Sequence, residues 1–156
     1  LRPMQPAEYL AYCDYFIADY GREIAENFGH SLAHSTRLAG ADLCQHLPGG
    51  VATPGQTLLC LEAVIDEQVK QQKKLVGYLW HAVDEQQCSF IYDFYVLEEF
   101  RGHGFGKLAL RELERQLRER GIDQIKLRVA FNNKRALQLY QEMGFNVTGY
   151  NLAKSI

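Results

Sequence analysis

The sequence lacks the features that mark several common classes of protein. No apolar run reaches the roughly 18 residues of a membrane span, and the longest ones, Leu58–Ile65 and Leu75–Val83, have strand length and contain polar residues. Basic residues are not in excess, because 17 Lys and Arg stand against 19 Asp and Glu, a formal net charge of −2. The acidic N-terminal segment has no signal-peptide pattern. We therefore expect no nucleic-acid partner and no membrane partner.

Cysteine is sparse and scattered. The four cysteines are Cys13, Cys44, Cys60 and Cys88. No two of them form a C-x-x-C pair, and no histidine lies at metal-ligand spacing from them, so no metal site is predicted. Because the number of cysteines is even, the count alone does not exclude disulfide bonds. Without a secretory signal, however, four reduced thiols in a cytoplasmic protein are the better interpretation. The 156 residues, 47% hydrophobic and 23% charged, fit a single globular domain.

The spacing of apolar residues predicts that helices come first and strands follow. Helical spacing covers Pro6–Phe28 and Ser35–His46, and a loop rich in proline and glycine comes next. Three apolar runs then predict an antiparallel meander joined by the polar stretches 66–74 and 84–87. The predicted strands of this meander are Thr57–Ile65, Leu75–Val83 and Ser89–Leu97.

The second half predicts two helices that alternate with strands. An amphipathic helix runs from Phe105 to Leu117 and stops at Gly121, and Ile125–Val129 alternates as a strand does. Asn132 or Asn133 can cap a further helix that extends to Met143. Residues 145–153 are predicted to form a last strand. The expected fold class is a mixed α/β (α+β) sheet.

The most informative stretch is the glycine-rich loop Arg101-Gly-His-Gly-Phe-Gly-Lys107. It leads from a strand into a helix, so several backbone N–H groups converge where the helix dipole favours an anion. A nucleotide P-loop is excluded because Leu108 follows Lys107 and Arg101 stands at the first glycine position. A dinucleotide-binding fingerprint is excluded because Lys107 occupies the position where its last glycine should stand. A tight turn with no ligand remains the alternative.

A second motif, farther along the chain, supports a functional interpretation of this loop. Asn133-x-x-Ala136-x-x-Leu139-Tyr140-x-x-x-Gly144-Phe145 follows one helix and one strand later. The two motifs in this order resemble the signatures of the GNAT (Gcn5-related) N-acetyltransferases, in particular small bacterial members of unassigned substrate. The resemblance extends from about Thr57 to the C-terminus.

The resemblance implies a single GNAT domain over residues 1–156, with a mixed, mostly antiparallel sheet flanked by helices. Residues 1–50 would form a helical segment on the acceptor side, and residues 57–156 the cofactor-binding core. A splayed strand pair would bind coenzyme A, with acetyl-CoA as acetyl donor and no metal. The residues that this assigns to acetyl-CoA binding are Phe94, Val96, Arg101, Gly102, His103, Gly104, Phe105, Gly106, Lys107 and Asn133.

The resemblance also implies catalytic roles. Tyr140 would lie near the sulfur of coenzyme A and protonate the leaving thiolate, since a phenol is a donor at neutral pH. The Val96 N–H would donate to the thioester oxygen. Asp93 is the candidate base or an anchor for a cationic amine, although a carboxylate satisfied by its neighbours is an equally good interpretation. His81 is a second candidate base.

The predicted function is therefore transfer of the acetyl group of acetyl-CoA to a primary amine of a small molecule or peptide by direct attack. The alternative is a noncatalytic acyl-CoA-binding regulatory module of the same fold, which would not need Tyr140. Dimers are common in the family, so a homodimer stays open. The sequence does not identify the acceptor.

Overall fold

The computed structural model describes residues 1–67, 70–152 and 154. One five-stranded sheet has its strands in chain order and is antiparallel except for its last pair. This confirms the expected mixed, mostly antiparallel α/β class. The strands are β1 (Arg2–Pro3), β2 (Gln56–Glu67), β3 (Lys70–Val83), β4 (Cys88–Val96) and β5 (Gln124–Leu127), and the helices are α1 (Tyr9–Phe28), α2 (Leu32–His46), α3 (Phe105–Glu119) and α4 (Lys134–Glu142).

The helices cover both faces of the sheet because side chains alternate along each strand. On β2, Leu59 and Leu61 pack with α3 and α4 in one buried cluster. Leu58 and Cys60 point the other way and pack with α1 and α2 in a second cluster. The sheet therefore separates an α1–α2 face from an α3–α4 face.

Local signals account for the helix ends. The Ser31 hydroxyl accepts the His34 N–H at 3.3 Å, so α2 begins at Leu32, earlier than the predicted Ser35. Residues Pro6–Glu8 form a 3-10 turn ahead of α1. At α4, the Asn133 side chain accepts the Ala136 N–H at 3.0 Å, which is the predicted cap.

Three strand predictions were wrong in their bounds or existence. The polar stretch 66–74 belongs largely to the β2–β3 ladder, where Ile65 pairs with Gln72, because ladder hydrogen bonds come from the backbone and do not require apolar side chains. Residues 68 and 69 lie outside the described residues. β5 ends at Leu127 rather than Val129. The expected strand 145–153 is absent over residues 145–152, where the alternating pattern finds no strand to pair with, and Ala153 lies outside the described residues.

The end of β4 is held against β3 by a close backbone contact. A Cβ built on Gly77 would lie 2.1 Å from the Tyr95 carbonyl oxygen, a distance that only glycine permits. Gly77 pairs with Val96, so this contact fixes the last part of the sheet before the glycine-rich loop.

We expect Gly77→Ala to lower the free energy of unfolding by about 1–3 kcal/mol or more, because the new methyl group forces backbone atoms apart. Urea denaturation measures the effect. Gly149→Ala is the matched control, since nothing lies within 4 Å of its built Cβ. Equal unfolding midpoints for the two variants would contradict the importance of this contact.

Candidate functional site

The central feature of the site is a gap between β4 and β5. The parallel β4–β5 ladder covers only Cys88–Ile91 on β4, whereas β4 continues to Val96. At the end of this ladder β4 carries a bulge: Trp80 pairs with Asp93 but His81 pairs with Ile91, so Tyr92 is an extra residue. A bulge bends its strand and strengthens the local twist. From Asp93 onward, and within the described residues, β4 pairs with β3 alone.

Every second residue of β4 beyond Ile91 directs its backbone N–H and C=O groups toward this gap. The Leu97 N–H donates to the Val76 carbonyl on β3 at 2.9 Å. Since peptide groups alternate in direction along an extended strand, the N–H and C=O of Val96 point away from β3, toward the gap. The Phe94 groups, two residues earlier, share that direction. This is an edge to which an extended ligand arm can add as a strand does.

The glycine-rich loop lies directly beyond this edge. Gly102 and Gly104 have φ of +87° and +81°, values that L side chains rarely adopt. Gly104 precedes the first turn of α3, whose N–H groups have no partner within the helix. A Cβ on Gly106 would lie 3.2 Å from Leu139 Cδ2 and 3.8 Å from Phe94 Cζ, so the start of α3 adjoins both β4 and α4.

The side chains around this loop have partners within the chain. Arg101 donates from Nε to the Val96 carbonyl at 2.9 Å and lies over the Tyr95 ring at 5.0 Å. Lys107 bonds Glu142 at 2.7 Å and so ties α3 to α4. His103 is exposed beside Phe105. An anion at this loop would therefore meet backbone N–H groups first, and Arg101 and Lys107 only after rearrangement.

Tyr140 lies on the α3–α4 side of the gap. It is only 8% exposed and belongs to the buried cluster with Ile91 and Leu113. Burial, and to a lesser extent the charge of Asp93, raise its pKa well above the usual value. Its hydroxyl is thus protonated at neutral pH, and no partner for it occurs within the described part of the chain.

Asp93 lies on the opposite, α1–α2 side. Its Oδ1 accepts the Tyr15 hydroxyl at 2.9 Å. The residue as a whole is partly accessible, but its Oδ2 is not reached by solvent and has no hydrogen-bond partner among the described residues. The Tyr12 hydroxyl is also buried without a partner of hydrogen-bond geometry, although it faces Asp93 closely enough to act on its pKa.

This environment makes Asp93 a candidate acid–base group. Burial raises its pKa to about 7, and the negative charge of Asp19 adds to that rise. The hydrogen bond from Tyr15 and the nearby Tyr12 hydroxyl act in the opposite direction, because both stabilise the carboxylate. A carboxyl group with a pKa near neutrality can accept a proton at physiological pH.

A cleft of about 190 Å³ opens beside Asp93. Helix α1 contributes Tyr15 and Tyr20, and Trp80 and Tyr92 stack on each other with ring centroids 4.7 Å apart. Sequence reasoning missed these residues, because tyrosines at helical spacing are core residues by default and exposed carboxylates on helices are normally just solvated. The charged side chains that line the cleft are Asp19, Glu23, Asp42, Asp93 and Arg128.

His81 is separated from this site. It is buried, with Nδ1 3.0 Å from the Ser89 hydroxyl, and burial lowers its pKa to about 4. It is not among the residues that line the cleft. A histidine that is buried, neutral and paired in this way is a weaker candidate base than Asp93.

Three further properties concern the described residues alone. Within 1–67, 70–152 and 154, no group of three or more His, Cys, Asp or Glu side chains is placed to hold a metal ion. None of the helices in that part of the chain has both the length and the apolar character needed to cross a membrane. All four cysteines are free thiols.

Known proteins share this architecture. The model of the acetyltransferase (GNAT) family matches residues 51–145. The uncharacterized N-acetyltransferase YycN of Bacillus subtilis is 34% identical over 160 residues, which cover 100% of this chain and 97% of YycN.

Solved structures agree. The crystal structure of YycN from Bacillus subtilis superposes with a TM-score of 0.88 at 31% identity, covering 100% of this chain and 97% of that one. A Bacillus anthracis protein, provisionally assigned as a streptothricin acetyltransferase and solved in complex with acetyl coenzyme A, shares the fold. Its TM-score is 0.52 at 21% identity, over 63% of this chain and 52% of that one.

The matched residues, 51–145, include both the loop before α3 and the whole of α4. The family model covers more than half of the chain, and YycN matches along its whole length. The chain therefore belongs to the acetyltransferase (GNAT) family and is an acetyl-CoA-dependent acyltransferase.

Proposed function

We propose that the protein transfers the acetyl group of acetyl-CoA to a primary amine by direct attack, with Asp93 as base and Tyr140 as acid. The observation that carries this proposal is the gap beyond Ile91, which opens the sheet between a proton donor and a proton acceptor. The donor is Tyr140 on one face, with a pKa raised above its usual value. The acceptor is Asp93 on the other face, with a pKa of about 7.

The residues of the α3–α4 face fit acetyl-CoA. Backbone N–H groups from Gly102 to Lys107 would receive the pyrophosphate at the start of α3. The Phe94 and Val96 peptide groups would hydrogen-bond the pantetheine arm along the open edge. Asn133 uses its side-chain oxygen as a cap and keeps its NH₂ group as a donor. The complex of the Bacillus anthracis relative with acetyl coenzyme A supports this choice of donor substrate.

The residues of the α1–α2 face fit the acceptor. An ammonium group that enters the cleft would lose one proton to the Asp93 carboxylate and become a nucleophile. As the new C–N bond forms, the Val96 N–H would stabilise the negative charge on the acetyl oxygen. The C–S bond then breaks, Tyr140 gives its proton to the sulfur, and the proton released by the amide nitrogen restores the tyrosine hydroxyl. The products are an N-acetylated amine, the thiol of coenzyme A and one proton for each ammonium consumed.

The second candidate, a noncatalytic acyl-CoA-binding module, needs neither Tyr140 nor a cleft beside Asp93. Those two features favour the enzyme. The division of the chain into an acceptor-side segment 1–50 and a cofactor-binding core 57–156, the homodimer and the cytoplasmic location stay predictions.

Acetyl-CoA should stabilise the folded protein, by about 2.7 kcal/mol at a hundredfold excess over Kd. Gly104→Asp should reduce this gain strongly, because it adds a negative charge where phosphate binds. Gly104→Asn is the matched control, since both side chains tolerate the left-handed backbone and only one is charged. Thermal unfolding with and without ligand measures the gain. An equal gain in the two variants would rule out a phosphate site at this loop.

Tyr140→Phe should lower kcat by about 10²–10⁴-fold, the usual value of general-acid help, with acetyl-CoA affinity within a few-fold of wild type. The variant keeps the ring that packs on Phe145 and deletes only the proton donor. Thiol release with a competent amine gives kcat, and calorimetry gives affinity. Tyr150→Phe, at an exposed position, should change neither. If kcat of Tyr140→Phe stays within about threefold of wild type, well short of that range, Tyr140 is not the acid.

The pH dependence of kcat/KM should report Asp93. A base must be ionised, so the rate should rise as pH passes upward through about 7. Tyr15→Phe removes a donor that stabilises the carboxylate and should move this rise to higher pH. Asp93→Asn should lower the rate and abolish the rise. The acceptor's own ionisation cannot explain a shift caused by Tyr15→Phe. An unchanged midpoint in that variant would remove Asp93 from the role of base.

A further inference from the structure

The cleft beside Asp93 has a charge imbalance that no step of acetyl transfer requires. Four carboxyl groups line it, from Asp19, Glu23, Asp42 and Asp93, against the single guanidinium of Arg128 among the described lining residues. One carboxylate is enough to deprotonate an amine. The others create a negative potential in a narrow space with low-dielectric walls, where such fields concentrate cations.

The acidic groups differ in how well they are already neutralised. Glu23 forms an ion pair with Arg128. Asp19 pairs with Arg22 at 2.8 Å, but both side chains are well exposed, so this pair is weak. Among the described residues, the ion-pair partner of Asp42 is the ring of His46, whose Nδ1 is 3.4 Å from Asp42 Oδ1 and closer to the Asp42 carbonyl oxygen, at 2.9 Å. Asp19 and Asp42 are thus the carboxylates most open to an incoming cation.

Two further observations point to a bound cation. The Asp93 residue lines the cleft, and its buried Oδ2 makes no hydrogen bond of normal geometry among the described residues, with the Tyr12 hydroxyl as its neighbour; a carboxylate that is incompletely hydrogen-bonded favours a cation beside it. The walls are also aromatic: Tyr20, Trp80 and Tyr92 line the cleft, and aromatic faces attract ammonium groups. The acidic residues are therefore part of a lined site at the point of reaction.

We infer that the acceptor is a linear aliphatic di- or polyamine, with its reacting nitrogen at Asp93 and a second ammonium group held by the carboxylates farther along the cleft. This inference rests on the proposed function. A single ammonium would leave Asp42 unused. An amino acid would bring its own carboxylate into a space that already contains four carboxyl groups.

Three acceptors that share the same carbon chain distinguish a diamine from a monoamine and from an amino acid. 1,5-Diaminopentane has two ammonium groups, n-pentylamine lacks the second, and lysine adds a carboxylate to the diamine. We expect kcat/KM for the diamine to exceed that for each of the other two by about tenfold or more, equivalent to one well-placed charge interaction. The preference over n-pentylamine should shrink as salt rises. Lysine above the diamine would show that Arg128 reads a carboxylate and would overturn the inference, as would equal rates for the diamine and n-pentylamine.

Charge-neutral variants locate the second ammonium. Asp42→Asn should lower the diamine-to-pentylamine ratio several-fold, and it leaves intact the groups that set the pKa of Asp93, which are Tyr15, Tyr12, Asp19 and the Phe94 amide. Glu23→Gln should lower the ratio further, because it also frees Arg128. Asp123→Asn, exposed at the far end of the sheet before β5, is the control and should leave the ratio unchanged. A diamine-to-pentylamine ratio that is unchanged in both Asp42→Asn and Glu23→Gln would overturn the inference.

A binding measurement separates this inference from the proposed reaction. Calorimetry with 1,5-diaminopentane and n-pentylamine needs no turnover. If no amine is acetylated but the diamine binds more tightly and Asp42→Asn removes the difference, the proposed reaction fails and the dication site stands. If amines are acetylated but the diamine binds no better than n-pentylamine, the reaction stands and the dication site fails.

Discussion

The parting of β4 from β5 after Ile91 is the constraint on which the rest of this structure depends. A sheet normally satisfies the peptide groups of an internal strand on both sides. Here the bulge at Tyr92 bends β4, and the parallel ladder stops one residue earlier. The peptide groups of Phe94 and Val96 consequently face a gap rather than a strand. Had β5 continued to Val129 in register, that edge would be closed and the two faces of the sheet would have no connection through it.

The two faces adjoining the gap differ in electrostatic character. On the α3–α4 face, left-handed glycines bring the chain to the positive end of α3, where an anion is favoured. On the α1–α2 face, carboxylates and aromatic rings line a small cleft where a cation is favoured. In the proposed reaction the donor's phosphates and the acceptor's ammonium groups bind to opposite faces, and only the acetyl group and the attacking nitrogen meet in the gap.

The sequence predicted the parts whose signal is local. The glycine spacing of residues 101–107 and the motif from Asn133 to Phe145 indicated the family, and apolar periodicity gave the helices and the three long strands. The bulge at Tyr92 could not be predicted from the sequence, because a run of aromatic and apolar residues is compatible with a strand that has a bulge and with one that has none. The Tyr15–Asp93 bond joins residues 78 positions apart, and nothing in the sequence distinguishes Asp42 from an ordinary solvated charge on a helix. The alternation in residues 145–152 resembled a strand, yet a strand forms only where an edge is available to pair with it.

The most direct test of the account is amide hydrogen exchange of Val96 with and without coenzyme A. We expect the Val96 N–H, which faces the gap, to exchange faster in the free protein than the Leu97 N–H bonded to Val76. Coenzyme A should slow exchange at Val96 selectively, because the pantetheine arm takes the place of the missing strand, while amides of β2 keep their rates. Protection of Val96 already present in the free protein, or unchanged by bound coenzyme A, would contradict the claim that the open edge of β4 is the donor site.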